Sequence, residues 1–416
     1  MNASDAVPPS GAASDRALVR VVRAEAARIV AALTSSLGNF DLAEEAVADA
    51  VAEALLRWRA IGVPPNPGAW LTTAARRNAL DRLRREKRYR QKLEILAERP
   101  DAEQAEIDER LPLLFGCCHP ALSPSAQLAL TLRAVCGLTT EQIARATLSA
   151  PTAVGQRIVR AKRKIAAAGI PLRIPIDTER ASRLDIVLTV ISVMYNEAHL
   201  VRGGGAGADR DLADDALWLA QVVAGALPQE PEAHGLVSLL QFHRSREPAR
   251  AFGGELVILA DQDRSRWDPA LVAAAHRSLA QAAALRRPGR WQLHAAIAAC
   301  HSDAKTARDT DWNQIVVLYD MLLDYDPSPV VRLNRAVARA ETRGAAAALA
   351  DIDELATALD GFHLWHAVRA HLLRHLGRRD EALAEDAIAS ELTSNEAERR
   401  LLESRGERVP GDTSVS

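Results

Sequence analysis

Aromatic residues make up only 4% of this 416-residue chain, and β-branched residues are few beside an abundance of alanine. Sandwiches and barrels draw on those missing types, so the composition points to an all-α protein. Four cysteines, Cys117, Cys118, Cys136 and Cys300, form no disulfide framework, which suits a reducing cytoplasmic compartment. No run of 18 apolar residues appears, and the first 14 residues lack a basic start followed by an apolar stretch. Neither a membrane span nor a signal peptide is therefore expected. No Ser/His/Asp set, Gly-rich phosphate loop or paired-carboxylate pattern stands out, so neither an enzyme nor a cofactor is expected. Adjacent Cys117 and Cys118 with His119 offer no ligand pair at a zinc spacing, so no metal is assigned. Small buried residues are one reading of that cluster; a redox or metal sensor that includes Cys136 is the other.

The net charge of −2 hides a division of charge along the chain. Residues 1–175 hold 25 Lys+Arg against 18 Asp+Glu, whereas 176–416 hold 27 against 36. The first part is fit to meet a polyanion; the second has no such bias. Within residues 138–165 two helices are written, joined by a tight turn. Leu138, Ile143 and Ala144 give the first its apolar side; Ser149 is placed to cap the second, with Pro151 in its first turn. Val154, Ile158, Ala161 and Ile165 make one apolar stripe on that second helix. Thr152, Gln156, Arg157, Arg160, Arg163 and Lys164 occupy the other faces, with no acid between Gln142 and Arg173. A short helix, a turn and a basic second helix with a polar tip is the plan of a helix-turn-helix reader. Its cations neutralise phosphates, while Gln and Arg near the helix start can address base edges. A solvated basic helix is the plainer alternative.

A second basic element comes earlier in the chain. Nine basic residues and only two acids, Asp81 and Glu86, lie between Arg76 and Lys92. The run from Asn66 opens on a Pro-Gly turn and then reads as one helix, with Trp70, Leu71, Ala74, Ala75, Leu80 and Leu83 as its apolar face. Upstream lies a helix of opposite character, with Asp41, Glu45, Asp49 and Glu53 recurring every four residues. Val47, Val51, Ala54, Leu55 and Trp58 are its expected core side. The stripe reads as an ordinary solvated face or as a surface for docking onto a basic partner helix. Residues 94–110, with seven acids against two basic residues, read as a flexible tether between the two basic modules.

In order and content these pieces resemble bacterial extracytoplasmic-function sigma factors of the sigma-70 family. The run AEEAVADAV is similar to the family's clamp-binding helix, which usually has Gln where this chain has Ala48 and Phe where it has Val51. WLTTAARRNALDRLRR resembles the promoter-melting and −10-reading helix at Trp70, Leu71, Ala75, Arg76, Asp81, Leu83, Arg84 and Arg85. It departs at Arg77, where the family commonly has Asn; here the Asn is Asn78. LSPSAQLALTLRAVCGLTTEQIARATLSAPTAVGQRIVRAKRKI resembles sigma domain 4, with Gly137, Leu138, Glu141, Ile143, Ala144, Val154, Arg157, Arg160 and Ala161 in the expected places. The resemblance covers roughly residues 15–172. It implies domain 2 over 15–92, an acidic linker over 93–110 and domain 4 over 111–172. It also implies two partners, core RNA polymerase and promoter DNA. Asp41, Glu44, Glu45, Asp49 and Glu53 would meet the clamp helices of the largest polymerase subunit, and the flap of the second-largest subunit would be a further contact. Trp70, Arg76, Arg77, Asn78, Arg84, Arg85 and Arg88 would serve the −10 element, with unstacked bases captured in the loop at 60–69. Thr152, Gln156, Arg157, Arg160, Arg163 and Lys164 would serve the −35 element.

The chain continues for some 240 residues beyond a Pro-containing linker, 171–175. Gly344 lies 33 residues before Gly377; Pro327 and Asn395 each stand 34 from Gly361. A period near 34 is the tetratricopeptide length, and such helix pairs stack into a solenoid with a concave face. Residues 181–400 are therefore read as a helical, tetratricopeptide-like domain that controls or supports activity, with a protein or small molecule as its ligand. This architecture resembles one subgroup of these factors, which also shows a segment like Gly253 to Asp268. There 256–259 reads as a short strand, and Asp261, Asp263, Arg264, Arg266, Trp267 and Asp268 read as a loop. That loop either bridges two helical blocks by buried ion pairs or binds a peptide, small ligand or cation. Met194 to His199 reads as an interdomain packing helix or a pocket. Two rivals to the sigma reading stand: a helix-turn-helix regulator acting without core polymerase, and a tetratricopeptide adaptor. The 70–85 element speaks against the first and the spaced pair of basic modules against the second.

Overall fold

A computed structural model of the chain describes residues 11–85, 110–147, 149–175, 178–200, 212–252, 255–393 and 395–407. The chain divides into two compact units, Met1–Glu197 and Ala198–Ser416. Both are helical, as the composition leads one to expect.

The first unit opens with three mutually packed helices, α1 (Gly11–Leu37), α2 (Phe40–Ile61) and α3 (Pro67–Arg85). Asn39 caps α2, its side chain accepting from the Leu42 N–H at 3.2 Å, which satisfies a donor the helix itself leaves open. Ala43, Ala46, Ala50 and Ala54 fall on one line of α2 and are wholly buried, so neighbouring backbones can come close. Trp58 closes the end of that line at 2% exposure and meets Trp70 edge-on, ring centroids 5.6 Å apart. Val47 is buried and Val51 half-buried, as their period predicts. Leu55 is not: it is 36% exposed, because the core follows the alanine line to Trp58 and 55 lies one step around the helix from it.

Four more helices follow in this unit: α4 (Arg110–Cys117), α5 (Pro124–Ala134), α6 (Thr140–Ala146) and α7 (Pro151–Ala167). The expected stripe of Val154, Ile158, Ala161 and Ile165 is buried in full. Ser149 is not the cap of α7; Ala150 is, with no side-chain bond, and Ser149 Oγ donates to the Thr147 carbonyl at 3.0 Å. The reason is Pro151, whose preset φ begins the helix and lacks the N–H that a cap would satisfy. Residues 94–109 of the tether and Arg88 lie outside the described residues, as does the side chain of Arg85, while Arg110, the last residue of the tether, begins α4.

The stretch after α7 is anchored rather than loose. Ile170 and Pro175 are buried, and Leu172 lies so near Gly116 that any Cβ at 116 would strike its Cδ2. α8 (Thr178–Leu200) follows, and Arg183 on it, 5% exposed, donates to the Phe115 carbonyl at 2.6 Å. Leu184, Val187, Leu188, Ile191, Met194 and Tyr195 are all buried, so α8 is apolar around most of its girth.

The second unit is a chain of helices that pack chiefly on their neighbours in sequence: α9 (Leu212–Ala226), α10 (Pro231–Ser245), α11 (Pro269–Ala284), α12 (Arg290–Asp303), α13 (Trp312–Leu322), α14 (Pro329–Arg343), α15 (Ala345–Asp353), α16 (Ala356–Leu359), α17 (His363–His375), α18 (Arg379–Leu392) and α19 (Glu396–Glu407). α14 serves two adjoining cores at once. Its Val331 and Ala338 join Leu293, Ile297, Ile315 and Leu322, while Leu333 and Ala336 join Leu349, Ile352, Trp365 and Leu373. A helix that is buried by neighbours on both sides is how stacked helical arrays gain their stability.

Two expectations for the segment after α10 need correction. Only Glu255–Leu256 is strand, paired antiparallel with Ala251–Phe252, because Ile258 leads directly into a 3-10 turn at Leu259–Asp261. The loop does bridge helices, but not by buried ion pairs. Arg264 lies over the Trp267 ring at 4.8 Å and donates to the carbonyls of His301 and Ala304 at the end of α12. Asp263 and Asp268 instead cap short and long helices, Asp268 accepting from the N–H groups of Ala270 and Leu271. Elsewhere in this unit α10 crosses α12 at Gly235, where an added Cβ would stand 2.7 Å from the Gln292 backbone nitrogen. Gly235→Ala is therefore expected to destabilise the unit by about 1–3 kcal/mol, since backbone has to move to admit the methyl. A denaturant midpoint equal to wild type would remove this account of the crossing.

Candidate nucleic-acid interface

α7 divides into two faces along its whole length. Val154, Ile158, Ala161, Lys162 and Ile165 turn inward, while Thr152, Gln156, Arg160, Arg163 and Lys164 are exposed and Arg157 is half-buried. The six polar residues singled out by sequence thus share the outward side, with Gln156 and Arg157 about one and a half turns from the helix start. Lys162 was not among them. It sits four residues after Ile158 and three before Ile165, so the period that placed the stripe also puts it on the stripe's edge.

In the three-helix part, α3 presents its basic residues on more than one side. Arg77 pairs with Glu53 of α2, and Asn78 donates to the Ala46 carbonyl at 3.5 Å. Arg84 is largely exposed and pairs with Asp81 one turn earlier. Trp70 is half-buried against Trp58, and Arg76 is half-buried. Beside the start of α3 lies a cavity of about 330 Å³, lined by Glu25 and Arg28 of α1 with Asn66, Gly68, Ala69, Thr72 and Thr73. Asn66 holds its rim in shape by accepting from the Ala69 N–H at 3.1 Å.

The acidic stripe of α2 has cationic partners within the same unit. Arg82, a residue sequence reading passed over, reaches both Glu45 and Asp49. Glu44 and Asp41 meet Lys162 at 2.6 and 3.1 Å, and Glu44 also meets Arg133 at 3.2 Å. Within the unit the stripe's acids pair with Arg82 and Arg77 of α3 and Lys162 of α7, while Arg133 of α5 pairs with Glu44 beside the stripe. Asp41, Glu45 and Asp49 nevertheless keep 74%, 57% and 50% of their side-chain surface, so the stripe remains open to solvent. Exposed pairs of this kind each contribute at most about 1 kcal/mol.

Cys117, Cys118 and Cys136 are core side chains of the helix-turn-helix region. Burial pushes the Cys117 thiol well up and the Cys118 thiol to about 12, which leaves neither as thiolate near neutral pH. His119 Nδ1 accepts from the Ala121 N–H at 3.1 Å, closing the turn after α4. Among the described residues no group of three or more His, Cys, Asp or Glu is placed to hold a metal ion. Among the same residues no helix is long and apolar enough to cross a membrane.

Comparison with known proteins matches three stretches of the chain. Residues 17–89 match sigma-70 region 2, and residues 113–165 match sigma-70, region 4. Residues 183–283 match a family of unknown function, DUF6596, a match that begins within α8. An uncharacterized protein of Rhizobium meliloti (strain 1021) is 41% identical over 380 residues, covering 88% of this chain and 90% of its own length. No solved structure matches the chain. With α1 to α3 forming region 2, and α6 and α7 forming the helix-turn-helix of region 4, the chain belongs to the sigma-70 family, whose members act in promoter-specific transcription with core RNA polymerase and promoter DNA as partners.

Proposed function

We propose that the chain is an alternative sigma factor of the extracytoplasmic-function group, carrying its own C-terminal helical domain. The outward face of α7 carries the reading: six polar or cationic residues stand opposite a buried apolar stripe, in a chain that has region 2 and region 4 in order. In this reading Gln156 and Arg157 address base edges of the −35 element in the major groove, while Thr152, Arg160, Arg163 and Lys164 hold its phosphates. At the −10 element Trp70, Arg76, Arg77, Asn78, Arg84, Arg85 and Arg88 hold the melted strand, and the cavity beside Asn66 takes an unstacked base. Asp41, Glu44, Glu45, Asp49 and Glu53 dock on the basic clamp helices of the largest polymerase subunit, and domain 4 meets the flap of the second-largest. No bond is made or broken; strand opening is driven by preferential binding of the opened state. Residues 181–400 form a tetratricopeptide-like domain, supported by the 33-residue spacing of Gly344 and Gly377, each with positive φ at a helix end. Its ligand is a protein segment or a small molecule.

Run-off transcription with purified core polymerase tests this reading. The expected result is a promoter-specific transcript that appears only when the chain is added. Tight binding to duplex operator DNA without core, together with no transcript, would instead establish a regulator that works without polymerase.

A further inference from the structure

The outward side of α7 carries one large apolar residue among its polar ones. The buried stripe runs Val154, Ile158, Ala161 and Ile165, and the same spacing two positions earlier gives Thr152, Gln156, Val159 and Arg163. At 3.6 residues per turn this second line falls on the side of the helix opposite the first. All four of its residues are exposed. Val159 is 46% exposed, and no other large apolar side chain of α7 stands out in this way. The core stripe is complete without it, and a β-branched residue is a poor helix former. Neither packing nor helix propensity therefore calls for valine at 159. Its place does: it lies on the line of Gln156 and Arg163, with Arg160 and Lys164 to one side.

An isopropyl group makes no hydrogen bond, so it has nothing to offer a phosphate. In the major groove it has one apolar partner, the C5 methyl that thymine alone of the four bases presents. We propose that Val159 is a specificity-determining residue that packs its γ-methyl groups on a thymine methyl of the −35 element, beside an adenine held by Gln156. The proposal rests on the reading of α7 as the −35 recognition helix. Gln addresses adenine through its N6 and N7. From Gln156 to Val159 the helix advances about 4.5 Å, against about 3.4 Å for one base pair, so the thymine lies about one or two pairs from that adenine. A guanine in its place offers only the acceptors N7 and O6, which valine covers and cannot bond.

Deoxyuridine differs from thymidine only by that methyl and keeps every hydrogen bond, so it isolates the contact. Each thymine of the −35 element, on both strands, is replaced in turn, and binding is measured with the full chain and core polymerase. One replacement should weaken wild-type binding by about threefold to fivefold, the effect of exposing one methyl group. Val159→Ala should bind the native element more weakly by a similar factor and should be indifferent to that same replacement. The two changes together should cost no more than either alone, which is the mark of a direct contact. Alanine favours the helix, and wild-type binding of Val159→Ala to a promoter with a scrambled −35 element shows that α7 is intact. Wild-type binding that no deoxyuridine weakens, a sensitivity that Val159→Ala retains in full, or equal loss by Val159→Ala on native and scrambled promoters would overturn the proposal. Gln156→Ala in the same assay separates the two levels. Loss on the native element alone keeps α7 as the −35 reader when Val159 fails, whereas a wild-type holoenzyme indifferent to −35 sequence removes that reading as well.

Discussion

A chain ended after Pro175 should lose promoter-directed transcription, and its region 4 should melt at a lower temperature than in the full protein. The cut removes α8, whose Arg183 serves the Phe115 carbonyl, one of the last four carbonyls of α4 that the helix itself cannot satisfy. A buried hydrogen bond from a charged donor contributes about 1.5–3 kcal/mol, and a cation at a helix C-terminus adds to it. For a module of this size that loss alone corresponds to a midpoint shift of roughly 10 °C. Leu184, Val187, Leu188, Ile191, Met194 and Tyr195, all buried in the full chain, are lost with the same cut. Arg183→Met in the full chain separates the two contributions, since it breaks the bond and keeps the rest of α8. The 1–175 fragment matching the full chain in both region 4 melting and run-off output would show that α8 does not support region 4. Higher output from the fragment would show that the extension restrains the factor.

Most of the fold was legible because the apolar periods of α2, α3 and α7 are long and regular. The same periods located the outward residues of α7 and the buried ones beneath them. Failures came where a single local choice outweighed the pattern. Ser149 is a good capping residue, yet Pro151 set the start of α7 one residue later. Leu55 fits a helical stripe, yet a line of four alanines drew the core to one side of it. Val257 and Ile258 look like strand, yet the chain turns at Leu259 and the ribbon stops at Leu256. Arg264 was grouped with acids, but its partners are two backbone carbonyls, and carbonyls leave no mark in the residue pattern. Arg133 and Lys162 were missed for a related reason. Each lies about 90 residues or more from its carboxylate, and charge pairing at such a distance in sequence has no period to reveal it.

The surfaces of α2 and α7 make different demands on a test. The α2 acids proposed to meet polymerase include Asp41 and Glu44, which also pair with Lys162 and Arg133 of region 4, so single substitutions there act on two contacts at once. The exposed side of α7 has no such second role among the described contacts of Gln156, Arg160, Arg163 and Lys164. It is the cleaner place to ask whether sequence is read.

Replacing Gln156 and Arg157 together by alanine should weaken holoenzyme binding to promoter DNA by about 2–6 kcal/mol, counting about 1–3 kcal/mol for each base contact. Both lie near the N-terminal end of α7, the part of a recognition helix that reaches base edges. Alanine is the best helix former, and neither side chain belongs to the buried stripe, so the helix itself should persist. Arg157 is half-buried, and part of its loss is packing that acts on every DNA alike; Gln156, which is exposed, gives the purer measure. Lys164→Ala is the control for charge. It should weaken binding to all sequences by a similar factor and flatten the salt dependence by about one unit of slope. The comparison is made with core polymerase present, on promoters with the native and a scrambled −35 element. Loss confined to the native element is the expected result for Gln156→Ala. Equal loss on both promoters for Gln156→Ala, Arg157→Ala and Lys164→Ala would mean that α7 holds the backbone and reads no base.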